Sequence, residues 1–153
     1  MTQPRTPVHR RVDAAKAKRN PAVISDVPSG WVLMSDEQYT PGCCVLLPDP
    51  VVDDLHAMHE DIRLQFLADM AMVGDILMEV TDSYTINYEI RGGADTSLFA
   101  EIIPRYKSEP EKYQKTSARF YYEAEKKLPP GFDAERDKEL MKKIANYIQM
   151  KLE

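Results

Sequence analysis

Ser97, Phe99 and Glu101 occupy alternate positions in the run Ser97-Leu98-Phe99-Ala100-Glu101-Ile102-Ile103. Residues two apart on a strand point the same way, so these three side chains would converge on one reacting group. The hydroxyl of Ser97 is a possible nucleophile and the carboxylate of Glu101 a possible base for water. Neither has an activating neighbour in sequence. Phe99 stands between them with no lone pair and can be neither nucleophile nor ligand. An ionised Glu101 would also repel a phosphate rather than clamp it. Asn87 and Glu89 form a second polar pair on one face of a predicted strand, an amide suited to an anion's oxygens beside a carboxylate that opposes it. His56 and His59 stand three apart on a predicted helix; a metal site would need further ligands, and we read them as solvated histidines. His9 carries no signal.

The elements that position these residues are legible in outline. Val8 to Arg19 reads as a short charged helix closed by Asn20-Pro21. Three strands are expected at Ala22–Val27, from Trp31 to about Asp36, and at Cys43–Leu47. Turn chemistry at Pro28-Ser29-Gly30 and Pro41-Gly42 separates them, and Pro48-Asp49-Pro50 stops the third. A long helix is predicted from Asp53 to about Thr81. Leu55, Met58, Ile62, Phe66, Met70, Val73, Leu77 and Val80 form its buried stripe, and Asp53 or Asp54 caps it. Tyr84–Ile90 alternates with period two, and after Gly92-Gly93 a last strand runs from Leu98 to Tyr106. The final 45 residues are rich in Lys, Glu and Tyr and are broken at Pro129-Pro130-Gly131. Asp133 caps a closing helix with the stripe Leu140, Ile144, Tyr147/Ile148 and Leu152. The order is α+β with mostly antiparallel pairing.

The passage Ser97-Leu98-Phe99-Ala100-Glu101-Ile102-Ile103-Pro104-Arg105-Tyr106 resembles the closing strand of the histidine-triad (HIT) superfamily of nucleotide hydrolases and transferases. There the pattern is His-x-His-x-His, two apolar residues and often Pro-Arg-Tyr. The frame is kept, but the histidine positions read Ser97, Phe99 and Glu101. The resemblance covers about residues 20–106. Ile86-Asn87-Tyr88-Glu89-Ile90 and the Pro-Ser-Gly-Trp turn at 28–31 look like the bacterial branch related to diadenosine polyphosphate hydrolases.

The resemblance implies a HIT-like fold, an antiparallel sheet of about five strands with one long packed helix and a helical C-terminal tail. It divides the chain into an N-terminal helical arm (1–19), a HIT-like domain (20–106) and a C-terminal helical extension (107–153) packed on the same domain. It implies that Asp36 binds ribose hydroxyls, Asn87 a phosphate, and Ile24, with Val23 or Val27, flanks the base. Read without it, Asp36 is equally a turn cap and Asn87 a backbone-satisfied amide. Arg105 is expected to pair with an acid. The family attacks phosphorus with its middle imidazole, so Phe99 removes the nucleophile and ordinary triad hydrolysis is not expected. What remains is a nucleotide or other small-molecule pocket; the alternatives are a residual hydrolase using an altered constellation and a non-enzymatic dimeric scaffold. The resemblance also implies a homodimer, since such proteins pair to extend the sheet.

Composition bounds the rest. A chain of 153 residues can bury a core without disulfide or metal, and a net charge of −5 argues against non-specific binding to nucleic acid or anionic membrane. Arg5, Arg10, Arg11, Lys16, Lys18 and Arg19 read as a solvated helix face rather than a nucleic-acid patch. No apolar run approaches the roughly 20 residues that span a bilayer. The start lacks the apolar segment of a secretory signal, so the expected compartment is the cytoplasm. Adjacent Cys43 and Cys44 point to opposite faces of a strand, read as buried thiols, and make neither a disulfide nor a zinc site. No cofactor is expected.

Overall fold

A computed structural model describes residues 5–153. Its centre is one five-stranded antiparallel sheet. The strands are β1 (Val23–Val27), β2 (Gly30–Met34), β3 (Cys44–Pro48), β4 (Thr85–Arg91) and β5 (Phe99–Arg105), in the spatial order β1-β2-β3-β5-β4. β5 therefore lies between β3 and β4, with Glu101 opposite Val45 on one side and Glu89 on the other. All five predicted strands are present. The α+β, HIT-like architecture expected from the sequence is the one observed.

Among the described residues four α-helices complete it: α1 (Pro7–Lys16), α2 (Glu60–Val80), α3 (Ala118–Glu125) and α4 (Ala134–Leu152). α2 and α4 pack on each other and on one face of the sheet. That face carries Ala100, Ile102 and Tyr88; the Tyr88 hydroxyl lies against Gly74 of α2, where a Cβ would meet it at 1.9 Å. Alternation then sends Phe99, Glu101, Ile103 and Arg105 to the opposite face. α1 buries Val8, Val12 and Ala15, and α3 buries Ala118 in a cluster with Tyr39, Cys43 and Ile103; both add the polar ties described below. The apolar core is rich in residues of the central strands and α2, among them Val32, Leu46, Ile102, Phe66, Ile76 and Leu77, each essentially inaccessible, with Ile144 and Ile148 added by α4.

Three helical expectations change. The predicted helix from Asp53 begins instead with an isolated 3-10 turn at Leu55–Ala57, capped by Asp54; α2 proper starts at Glu60. Met58 and His59 adopt extended geometry between the two, so the stripe is broken there and Ile62 is left 47% exposed. Leu152, assigned to the buried stripe of α4, is 44% exposed as the last residue of the helix. α1 ends at Lys16, three residues early, and Lys18 takes a left-handed conformation that reverses the chain before Asn20. Asp133 caps α4 as expected, accepting from the amides of Glu135 and Arg136.

Cys43 and Cys44 are free and buried. Burial disfavours both thiolates: it pushes the Cys43 thiol up to about 11 from an ordinary 9.0, and Cys44 higher still. These raised values mean that the unfolded chain loses thiol protons at a lower pH than the native one. Stability is therefore expected to fall as pH rises from about 9 towards 11, and to be indifferent to these groups below that window. Urea melts at pH 7, 9 and 10, and a thiol reagent that labels only the unfolded chain at pH 8, check this; rapid native labelling contradicts it.

Candidate functional site

β5 positions the site, and the three triad-frame residues meet different fates there. Ser97 is not on the strand. It precedes β5 with φ +67, a left-handed conformation unusual outside glycine, and is fully buried. Its Oγ accepts a 2.9 Å hydrogen bond from Thr6 Oγ1, the residue that also caps α1. The three side chains thus do not stand in one row, because the chain turns at Ser97 before the alternation begins. Phe99 does lie on the expected face, half-buried, with the Arg91 guanidinium 5.3 Å from its ring centroid.

Glu101 is the centre of a charge network. Its side chain is 5% exposed and is ion-paired with Arg91, from the neighbouring strand, and with Arg119 of α3 at 3.4 Å. Arg119 also grips Glu89 through two bonds of 3.1 and 3.2 Å, and its Nε donates to the Tyr39 hydroxyl at 3.2 Å. Tyr39 in turn donates to Glu37 at 2.7 Å. Burial, and then this bond to Glu37, pushes the Tyr39 phenol up to about 12, so it remains a neutral donor. A buried carboxylate without a partner costs several kcal/mol; here two guanidiniums compensate two carboxylates. Glu101 Oε2 remains without a partner. The network fixes α3, of which only Ala118 is buried, over the face that Phe99 and Glu101 share.

Asn87 lies beside this network on β4. Its Oδ1 accepts from Arg105 at 2.7 Å, which leaves its amide nitrogen as the group a ligand oxygen can use. Asn87, Glu89, Ile103, Lys115, Ser117 and Arg119 line a cavity of about 500 Å³, within the usual size range of small-molecule sites. Asp36 and Ile24 are not among its lining residues. Asp36 is ion-paired with Arg11 of α1 and serves as no turn cap. Ile24 packs half-buried against the core at a bulge between Val23 and Ser25, where alternation is interrupted. Arg105 pairs with an acid as expected, holding Glu109 through its Nε and a terminal nitrogen.

His56 is exposed, and neither it nor His59 belongs to a metal cluster; among the described residues no group of three or more His, Cys, Asp or Glu could hold an ion. No described helix is long and apolar enough to cross a membrane. Of the basic residues near the start, Arg5, Arg11 and Lys16 pair with Asp13, Asp36 and Asp49.

Sequence reasoning did not find Arg91, Arg119 or Tyr39. Two acids opposite each other on β4 and β5 demand nearby cations, and Arg91 lies two residues from Glu89 on the same strand face. That signal was present in the sequence. Arg119 carries none, since it arrives from a separate helix.

The fold and this face define a class. The chain has the HIT fold, shared with solved structures across most of its length. It is similar to a histidine triad protein from Marinobacter aquaeolei VT8 (TM-score 0.69, 15% identity, covering 93% of this chain and 95% of that one). It is likewise similar to a zinc-bound histidine triad family protein from Mycobacterium smegmatis (TM-score 0.66, 15% identity, 90% and 94%). A Hit-like protein involved in cell-cycle regulation from Bartonella henselae aligns at TM-score 0.61 and 9% identity over 98% of both chains. At such identities the likeness is one of fold. No protein-family model matches the sequence, and no curated protein matches it.

Proposed function

We propose that this protein is a HIT-fold nucleotide-binding protein, related to dinucleoside polyphosphate hydrolases, that does not perform triad hydrolysis. One observation carries the reading: Glu101, at the last triad position, is buried and held by Arg91 and Arg119. Its carboxylate is committed to guanidiniums, and Phe99 offers no nucleophile. The cavity beside it supports retention of a ligand. Lys115 supplies positive charge and Asn87 a neutral donor, and Arg119 neutralises the Glu89 carboxylate that also lines the cavity, a set that can take a phosphate in a volume of about 500 Å³. Asp36 and Ile24 have no evident part in this pocket, so the ribose and base contacts differ from those the resemblance implies. Calorimetric titration with AMP and with diadenosine tetraphosphate, with chromatography of the same samples, tests the reading.

The scaffold alternative draws on a different observation. β4 is an edge strand, and its Tyr88 and Ile90 are 42% and 37% exposed, with Leu64 and Met78 of α2 also exposed. An uncovered apolar edge is a template for pairing. We propose a homodimer formed through this edge, whose Tyr88 also lines the cavity beside Arg119. Sedimentation velocity is expected to show a dimer that Ile90→Lys converts to monomer; a monomeric wild-type protein at 100-fold varied concentration contradicts it. The expected compartment remains the cytoplasm, with no nucleic-acid or membrane partner.

A further inference from the structure

A second cavity lies apart from this site, between the β1–β2 turn, the end of β3 and the start of α2. Its volume is about 250 Å³, and Pro28, Pro48 and Pro50 form rigid walls while Val52, Met58 and Ile62 supply apolar surface. It shares no residue with the cavity beside Arg119.

The break before α2 leaves Ile62 47% exposed, an apolar surface that lines this cavity. One feature of the cavity is unexplained by folding alone. Ser29, which also lines it, is 6% exposed and its Oγ has no hydrogen-bond partner. A buried polar group left unpaired is costly and rare in folded proteins. The main chain of Ser29 is well held: its amide donates at 2.9 Å to Asp69 Oδ2, and the other Asp69 oxygen takes Gln65 Nε2 at 2.8 Å. The hydroxyl is therefore kept at the wall with only its own torsion free. The one carboxylate lining the cavity, Asp49, is already engaged by Lys16 at 3.1 Å and by the Trp31 indole at 3.2 Å. No uncompensated acid remains to attract a cation.

We infer that this cavity is a binding site for a small, uncharged, largely apolar molecule bearing one hydrogen-bond acceptor, such as an aryl ketone. Ser29 Oγ donates to the acceptor, and the apolar body lies between the prolines and Ile62. The size suits one or two rings, since an apolar cavity of roughly 150 Å³ already accepts benzene. The inference is independent of the nucleotide reading and involves no covalent step.

The test uses the full chain and two probes of nearly equal shape, acetophenone and α-methylstyrene, the second lacking the acceptor. Binding is followed by the amide resonances of Ser29, Val52 and Ile62 in the ¹⁵N-labelled protein. Acetophenone is expected to shift these resonances and to bind about fivefold tighter than α-methylstyrene, the worth of one neutral hydrogen bond. Ser29→Ala should remove that preference while leaving α-methylstyrene binding intact. Ile62→Lys, at a half-exposed position that folding tolerates, should weaken both probes about tenfold. No shift at these amides at millimolar acetophenone overturns the inference. So does an equal affinity for the two probes, or a preference that survives Ser29→Ala.

Discussion

Arg105→Ala is expected to lower the unfolding free energy by about 3–5 kcal/mol, the range found when one partner of a buried ion pair is removed. Arg105 is 2% exposed and among the largest fully buried side chains. It bonds both oxygens of Glu109, the amide oxygen of Asn87, and the carbonyls of Thr116 and Tyr113, with distances from 2.6 to 3.1 Å. Its removal leaves a carboxylate only 16% exposed with the Tyr106 amide in place of a cation, and the Thr116 carbonyl without its donor, while the Tyr113 carbonyl keeps the amide and hydroxyl of Thr116. These acceptors belong to the segment joining β5 to α3, so the loss should loosen the residues that carry Arg119. Arg105→Lys should recover only a minor part, because an ammonium is a point charge and cannot reproduce the planar fork. Urea denaturation measures the loss, and limited proteolysis between 107 and 133 reports the loosening. A change below 1 kcal/mol would show that the arginine is replaceable by water and that its bonds do not organise the extension.

Wild-type protein is expected to bind AMP and to release no product from diadenosine tetraphosphate. Where a hydrolase nucleophile has been removed by substitution, the rate falls by roughly 10⁶-fold, so turnover should lie at background. Phe99→His alone should not restore it, since the adjacent Glu101 remains ion-paired with Arg91 and Arg119 in place of an imidazole. Lys115→Ala should weaken AMP while leaving the fold intact, because it lines the cavity and is exposed; Asn87→Leu should weaken AMP too, with some loss of stability because its Oδ1 accepts from buried Arg105. Steady turnover by the wild type would mean that Glu101 acts as a base despite its partners, and the reading would be wrong. Absence of AMP binding at millimolar concentration would move the weight to a dimeric scaffold.

Much of this protein was fixed by local pattern. Period-two alternation in Tyr84–Ile90 and the turn chemistry at Pro28-Ser29-Gly30 and Pro41-Gly42 placed the strands, because backbone geometry there is set by adjacent residues. The Pro104-Arg105-Tyr106 frame carried the fold resemblance, and Phe99 alone excluded an imidazole nucleophile, since that depends only on residue chemistry. The break at Met58–His59 was less legible: apolar spacing continued through it, while the chain took extended geometry and exposed Ile62. Three facts belonged to the tertiary structure. Ser97 left the row through a left-handed turn and met Thr6, 91 positions away in sequence. Asp36 found Arg11. Glu101 found Arg119, across a loop and from another helix. Each pairs groups whose encounter depends on how distant segments fold together, and a carboxylate's role is decided by which cation reaches it. The sequence by itself determined the strands, the long-helix region and the residues Ser97, Phe99 and Glu101, none of them an imidazole; only the packed chain decided that α3 would tie the face of Glu101 with charge.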